Sequence, residues 1–211
     1  VSLIGQRKFK DAYSQLKTIV TENPDDVLAY EALSRLCHER PEHFNEEPLY
    51  WLDRAVLNNP DSALAYIVRG AYLFKKDPAA AKTQFANAMC LDISSNETRL
   101  RLCTELINAS MLDQAKEHLT VMHNDNISEL GLWQAWAMYA IKLRDTAEMV
   151  RIADQGLEAL ANQKWDFMPI ASELYIDGEN FEKAAQCLDE LDRQDVAPAS
   201  VSYLRGLLWA K

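Results

Sequence analysis

Histidine, cysteine and glutamate residues crowd into one short stretch of the chain, which raises the question of a metal site. The stretch contains Cys37, His38, Glu39, Glu42 and His43. A zinc-protease helix needs the pattern His-Glu-x-x-His, because two histidines one turn apart then face the same ion. Here the histidines are five residues apart and a proline lies between them. We therefore expect surface histidines at this place, and neither a metal nor a cofactor.

The four cysteines have no spacing that is typical of metal or redox chemistry. Cys37, Cys90, Cys103 and Cys187 form no Cys-x-x-Cys pair. We expect all four to be reduced and buried on helices, which favours a reducing compartment and the cytoplasm. The sequence also contains no Gly-x-Ser-x-Gly elbow and no glycine-rich phosphate loop. We expect a protein that is not an enzyme.

Composition and charge limit the classes of partner. Of the 211 residues, 48% are hydrophobic and 26% are charged, which is normal for a folded chain. The formal net charge of −10 argues against nucleic acid, whose binders need a positive surface, and favours basic or neutral protein partners. No apolar run approaches the ~20 residues that a membrane-spanning helix requires. We expect protein or peptide partners, no nucleic acid and no membrane insertion.

A triplet of mostly apolar residues recurs along the chain, each time 34 residues further on. The three triplets are Ala81, Phe85 and Ala88; Ala115, Leu119 and Met122; and Met149, Ala153 and Gly156. A repeat of this length cannot bury its own apolar face and must stack on neighbouring repeats. The period therefore predicts an elongated all-α solenoid.

Apolar spacing and proline positions predict where the helices lie. Apolar residues in 7–21 follow the i, i+3, i+4, i+7 spacing of one helix face, and Asn23-Pro24 ends that helix. A second helix follows, and a third ends at Asn59-Pro60. Further helices are predicted at 62–75, 78–91, 95–109, 112–123, 127–142, 146–162, 165–177 and 181–193, with a last one from about 199.

The segment Ala65–Tyr72 and the first triplet together resemble the consensus of the tetratricopeptide repeat, whose period is also 34 residues. Gly70 and Ala81 are small where the consensus has two helices crossing closely, and Pro24 and Pro60 match its closing proline. The resemblance implies a right-handed α-α superhelix of about six helix-turn-helix repeats. Its predicted divisions are a truncated repeat at 1–24, repeats at 27–60 (with an insertion), 62–93, 96–127, 130–163 and 165–198, and the opening helix of a cut repeat at 199–211.

Both ends of the chain fall inside the repeat pattern, so we expect a fragment of a longer tetratricopeptide protein. The last helix then lacks the helix that should cover it. We expect an open apolar surface there that allows self-association. It is formed by Tyr203, Leu204, Leu207, Leu208 and Trp209.

In proteins of this fold the first helices of successive repeats line a concave groove that holds the ligand. Carried over position by position, the resemblance predicts a peptide-binding groove lined by Glu31, Arg35, Leu64, Ile67, Ala71, Glu97, Arg101, Thr104, Gln134 and Met138. Pro169 and Glu173 extend it. The alternative is that Leu64 and Ile67 pack against the adjacent repeat.

Two other kinds of binding site are disfavoured, a carboxylate clamp in the groove and an aromatic ligand platform. The carboxylate clamp that holds chaperone C-termini needs lysine and asparagine, but Glu31 and Arg35 stand at two of those positions. The aromatic cluster Trp133, Trp136 and Tyr139 is expected to be core, with a ligand platform as the alternative.

These observations predict a scaffold that binds a peptide or a partner domain in the groove. One alternative is the non-catalytic, substrate-recruiting arm of a larger enzyme. Another is an assembly factor of the cell envelope or of a secretion apparatus.

Overall fold

The computed structural model describes residues 8–125 and 129–211, and every regular element within these ranges is helical. The twelve α-helices of the described residues are α1 Phe9–Glu22, α2 Val27–Glu39, α3 Pro48–Asn58, α4 Ala63–Leu73, α5 Pro78–Met89, α6 Asn96–Asn108, α7 Leu112–Asn124, α8 Leu130–Leu143, α9 Thr146–Ala159, α10 Lys164–Asp177, α11 Phe181–Arg193 and α12 Pro198–Ala210. The prediction of an all-α repeat fold is confirmed. The predicted boundaries at residues 1 and 127 lie outside the described ranges.

The structure corrects one predicted helix. The sequence analysis placed a single helix at 146–162, but α9 ends at Ala159 and a short 3-10 turn follows at Ala161–Gln163. That turn leads directly into α10. Within the described residues, no helix is long and apolar enough to cross a membrane.

The chain divides into two compact units, unit 1 up to Thr98 and unit 2 from Arg99 onwards. Unit 1 contains α1 to α5, and each of these helices packs against the next in sequence. Its core includes Tyr30 and Leu33 from α2 and Leu52 and Ala55 from α3, none of them more than 1% exposed. The turn after α3 is bonded to the turn after α1, because the Asn59 side-chain amide donates a hydrogen bond to the Pro24 carbonyl over 2.9 Å. The two Asn-Pro segments therefore end their helices and also contact each other.

Unit 2 contains most of α6 and all of α7 to α12. The first helices of its later pairs lie side by side, because α10 packs against both α8 and α12. The turns inside these pairs use left-handed residues that are not glycine. Ser110, Arg144 and Glu179 have φ of 58°, 60° and 60°.

The three apolar triplets form the inner face of the second helices, α5, α7 and α9. All nine of their residues are buried. Each triplet combines small and large side chains, as expected where helices must approach closely. The predicted repeat divisions stay a proposal. Helices α10 and α12 begin at Lys164 and Pro198, each one residue before the predicted divisions that start at 165 and 199.

Two expectations were wrong, that Cys90 is buried and that Leu204 is exposed. Cys90 is exposed, because it follows the last residue of α5 and no longer lies on the inner face of that helix. Leu204 is only 4% exposed, because α12 packs on α10 and α11 through the face that carries it. Tyr203 and Trp209, on the other faces of α12, are 65% and 87% exposed.

The closest helix approaches depend on a glycine opposite a phenylalanine. A Cβ atom built on Gly70 in α4 would lie 2.4 Å from the Phe85 ring in α5. In unit 2, a Cβ on Gly156 in α9 would lie 2.4 Å from the Phe167 ring in α10. Real Cβ atoms do not approach a ring carbon so closely, and both phenylalanines are fully buried and have no room to move.

We expect Gly70→Ala to destabilise the protein by about 1–3 kcal/mol, because overpacking of a tight core outweighs the ~1 kcal/mol that alanine gains in helix propensity. Urea unfolding followed by circular dichroism measures the change. The control is Gly206→Ala in α12, where a Cβ would meet nothing within 4 Å. That substitution should stabilise the protein by up to about 1 kcal/mol. Equal effects of the two substitutions would contradict the close approach.

Candidate functional site

The predicted groove residues of unit 1 lie on the first helices α2 and α4 and at the start of α6. Arg35 and Glu97 are exposed on α2 and α6, whereas Glu31 is half-buried. On α4, Leu64 and Ala71 are half-buried. These five side chains keep some surface that a partner can contact.

Ile67 is the exception among the predicted groove residues. Its side chain has no exposed surface at all. Of the two interpretations in the sequence analysis, the structure favours core packing for this residue, because neighbouring side chains cover it on every side. Ile67 is therefore removed from the surface on which a partner is expected.

The predicted groove residues of unit 2 lie on α6 and α8. Arg101 and Thr104 on α6 are half-buried. The Thr104 hydroxyl donates to the Leu100 carbonyl over 3.1 Å. Its oxygen can still accept a hydrogen bond. Gln134 and Met138 on α8 are exposed.

Helix α8 combines an apolar sequence with one narrow exposed stripe. Gln134, Met138 and Ile141 are spaced i, i+4 and i+7, so they lie on one face of the helix. Met138 and Ile141 are 37% and 38% exposed. We call these three residues the α8 stripe. Ile141 is not among the predicted groove residues, because it lies at the end of a mostly apolar run from Leu132, and such a run is typical of a buried helix.

Helix α10, the neighbour of α8, carries acidic side chains on one face. It packs directly against α8 and carries Pro169, Glu173 and Asp177 at i, i+4 and i+8. Partial burial and the Asp177 carboxylate raise the pKa of Glu173 above its usual value. Ionisation of Glu173 is therefore less favourable than that of an ordinary glutamate, and a cation placed beside the carboxylate would offset the difference.

The aromatic cluster on the other faces of α8 belongs to the core, as the first interpretation held. Trp133, Trp136 and Tyr139 are 3%, 6% and 4% exposed. The rings of Trp136 and Tyr139 meet edge to face with centroids 5.6 Å apart.

Solved structures resemble the chain along nearly its whole length. The crystal structure of PilW, a widely conserved type IV pilus biogenesis factor, matches 96% of this chain and 93% of that one with a TM-score of 0.66 at 12% identity. A tetratricopeptide repeat protein from Parabacteroides merdae matches 98% of this chain and 80% of that one, with a TM-score of 0.57 at 14% identity. YrrB, a tetratricopeptide protein with an unusual peptide-binding site, matches 90% and 97% with a TM-score of 0.53 at 22% identity.

The chain has the tetratricopeptide-repeat fold. No known family model matches the sequence, and no curated protein matches it. The recognition therefore rests on the helix arrangement and on the 34-residue period of the apolar triplets. Identities between 12% and 22% carry the fold alone.

The histidines of the Cys37–His43 stretch have aromatic neighbours. His38 is exposed and its ring lies edge-on to Tyr72 at 6.0 Å between centroids. His43 stacks near Phe9 at 6.4 Å. In residues 8–125 and 129–211, no group of three or more histidine, cysteine, aspartate or glutamate side chains is arranged to hold a metal ion.

We expect Ile67→Glu and Met138→Glu to behave in opposite ways. A carboxylate at the fully buried Ile67 has no partner and should cost about 3–5 kcal/mol of unfolding free energy. The same change at the exposed Met138 should shift it by no more than about 0.5 kcal/mol. Chemical denaturation of both variants measures the difference. A fully stable Ile67→Glu protein would show that Ile67 is not core.

Proposed function

We propose that the chain is a protein-interaction scaffold that binds a peptide segment, alone or presented by a partner domain, along the first helices of its repeats. In unit 2 the binding surface is the α8 stripe with Glu173 beside it. The observation that carries the proposal is the exposure of two apolar side chains, Met138 and Ile141, on one face of a helix in which seven of fourteen residues are buried. Leu143, the last residue of the helix, is 40% exposed as well.

The α8 stripe has the chemistry of a protein-binding surface. Burying apolar area contributes about 25 cal/mol per Å², and methionine adapts its shape to different partners. Gln134 to Ile141 span roughly 10 Å along the helix at 1.5 Å per residue, a length that fits two or three side chains of a segment. Gln134 offers both a donor and an acceptor to a backbone next to those side chains.

The acidic side chains of α10 specify the charge of the segment. Glu173 has a raised pKa because of partial burial and the Asp177 carboxylate. A lysine or arginine of the partner pairs with Glu173 and removes the repulsion between the two carboxylates. We therefore propose a segment with aliphatic side chains followed by a basic one.

Other proteins of the fold support this kind of function. YrrB has a peptide-binding site, by its description, and PilW is a pilus biogenesis factor. The PilW likeness is in line with the assembly-factor alternative, and a scaffold that binds segments would serve that alternative equally well.

The variant Glu173→Gln should have opposite effects on the stability of the protein and on its affinity for the segment. Because the pKa of Glu173 is raised in the folded protein, the stabilising protonated form is lost as the pH rises through that pKa. Glutamine stays neutral, so the variant should unfold at a higher temperature than wild type at pH 7. The difference should vanish below pH ~4, the ordinary range of glutamate. Calorimetry at both pH values measures this.

The same variant should bind the proposed segment more weakly. Random peptides displayed on phage are selected against the wild-type chain, and the selected peptides are measured by isothermal titration calorimetry. We expect aliphatic and basic residues in these peptides, with at least a tenfold loss of affinity for Met138→Glu and about a fivefold loss for Glu173→Gln. Glu158→Gln, at an exposed position on α9, is the matched control and should bind as wild type. Peptides whose affinity none of these variants changes would refute the α8 stripe as the binding surface.

A further inference from the structure

Unit 2 contains a pocket that involves none of the α8 stripe residues. It lies between α7, α8 and α9 and has a volume of about 190 Å³. Its lining residues are Lys116, Thr120, His123, Trp133, Trp136, Arg151, Ile152 and Gln155. A volume of this size admits a group as large as one amino-acid side chain and excludes a helix or a strand.

The walls of the pocket are mainly apolar and rigid. Trp133, Trp136 and Ile152 are 3%, 6% and 0% exposed, so their positions are fixed by the core around them. Two indole rings and an aliphatic side chain favour an apolar group between them.

The two cationic side chains at the rim of the pocket, Arg151 and Lys116, differ in the hydrogen bonds and salt bridges that they already make. Arg151 is held by the Glu148 carboxylate through bonds of 2.6 and 2.7 Å and donates to the Gln155 side chain over 2.6 Å. These contacts neutralise its charge and fix its position. Lys116 is exposed and makes no salt bridge within the described residues, although its charge helps to lower the pKa of Glu148. Lys116 is therefore the rim cation that no direct ion pair holds, and it can turn to a ligand.

One donor in the pocket wall has no acceptor. The Trp133 indole N–H is buried and makes no hydrogen bond to any described residue. Buried N–H groups without a partner are rare in folded proteins. The His123 ring lies edge-on to Trp133 with centroids 5.6 Å apart, and His123 is exposed. A ligand atom that reaches the buried N–H requires a movement of the surrounding side chains, and His123 is the exposed one in contact with the indole.

We propose that this pocket binds a carboxylate carried on a short apolar stem. The stem lies between Trp133, Trp136 and Ile152, and the carboxylate accepts from the Trp133 N–H and pairs with the Lys116 ammonium. A single available cation beside the Arg151–Glu148 pair suits one negative charge better than a phosphate. The carboxylate comes either from a free small acid or from the C-terminal residue of a peptide.

The test compares an acid with its neutral amide. N-acetyl-leucine and N-acetyl-leucinamide are titrated into the ¹⁵N-labelled chain, and the indole N–H signals of its five tryptophans are followed by NMR. The acid should move the Trp133 signal downfield in a saturable way, because a charged acceptor now occupies the N–H. The amide should bind at least tenfold more weakly. Equal binding of the two, or no saturable shift with the acid, overturns the proposal.

Variants show whether the named residues form the site. Lys116→Met and Trp133→Phe should each weaken binding of N-acetyl-leucine at least fivefold, as reported by the Trp136 signal. Lys82→Met on α5, also an exposed lysine, is the matched control and should bind as wild type. If Lys116→Met also binds as wild type, the pocket does not recognise the charge and the proposal is wrong, even if Trp133→Phe does not fold.

Two further measurements identify the source of the carboxylate and distinguish binding in this pocket from binding at the α8 stripe. A Gly-Ser peptide that ends in leucine is compared in its free-acid and amidated forms. Tighter binding of the free-acid peptide than of N-acetyl-leucine indicates a peptide C-terminus, and weaker binding indicates a small acid. Met138→Glu should leave all of these affinities unchanged, because Met138 does not line the pocket.

Discussion

The close approach of two helices at a glycine is the contact on which the rest of the structure depends. Gly70 faces Phe85 within unit 1 and Gly156 faces Phe167 within unit 2, each without room for a methyl group. In the first case the glycine lies on the first helix of a pair, and in the second it lies on the second helix and contacts the next pair. The same steric device therefore operates within a pair and between successive pairs. Because each pair buries its apolar face only against its neighbours, the spacing of the helices determines which side chains remain outside.

In unit 2 this packing leaves two surfaces that the core does not require. Helix α8 contributes to both surfaces. It packs against α7, α9 and α10, so its faces meet different neighbours. Its outward face presents Met138 and Ile141, and its buried indoles form the wall of the pocket near α7 and α9. The backbone of α8 is fixed by the packing of its neighbours, so both surfaces are rigid before any ligand arrives. Rigid presentation lowers the entropy lost on binding, which is the advantage of a scaffold over a flexible loop.

The period and the small residues predict much of the fold, because burial of a 34-residue unit leaves few alternatives. The triplet beginning at Ala81 and the proline at Pro60 place the helices to within a few residues. The turns are less predictable, since Ser110 and Glu179 adopt left-handed φ without being glycine. Met111 and Asn180 N–H groups bond to carbonyls five residues back, over 2.8 Å in each case, and these bonds stabilise the turn whatever the side chain.

The candidate site was predicted less completely than the fold. The resemblance placed Gln134 and Met138 in the predicted groove, and both are exposed, but whether a side chain stays exposed depends on its neighbours on other helices. Ile67 is buried for that reason, and no spacing along α4 shows it. Ile141 is exposed although it ends a run that is apolar except for Gln134, because such a run does not distinguish the buried faces of a helix from a narrow open one.

Site-specific photo-crosslinking in the source cell tests most directly whether the α8 stripe contacts a partner protein. A benzophenone side chain replaces Met138 in one sample and Val121 in another, two side chains that are 37% and 43% exposed in the same unit. We expect one protein to be crosslinked from position 138 and not from position 121. The same adducts from both positions, or none from position 138, would contradict this expectation.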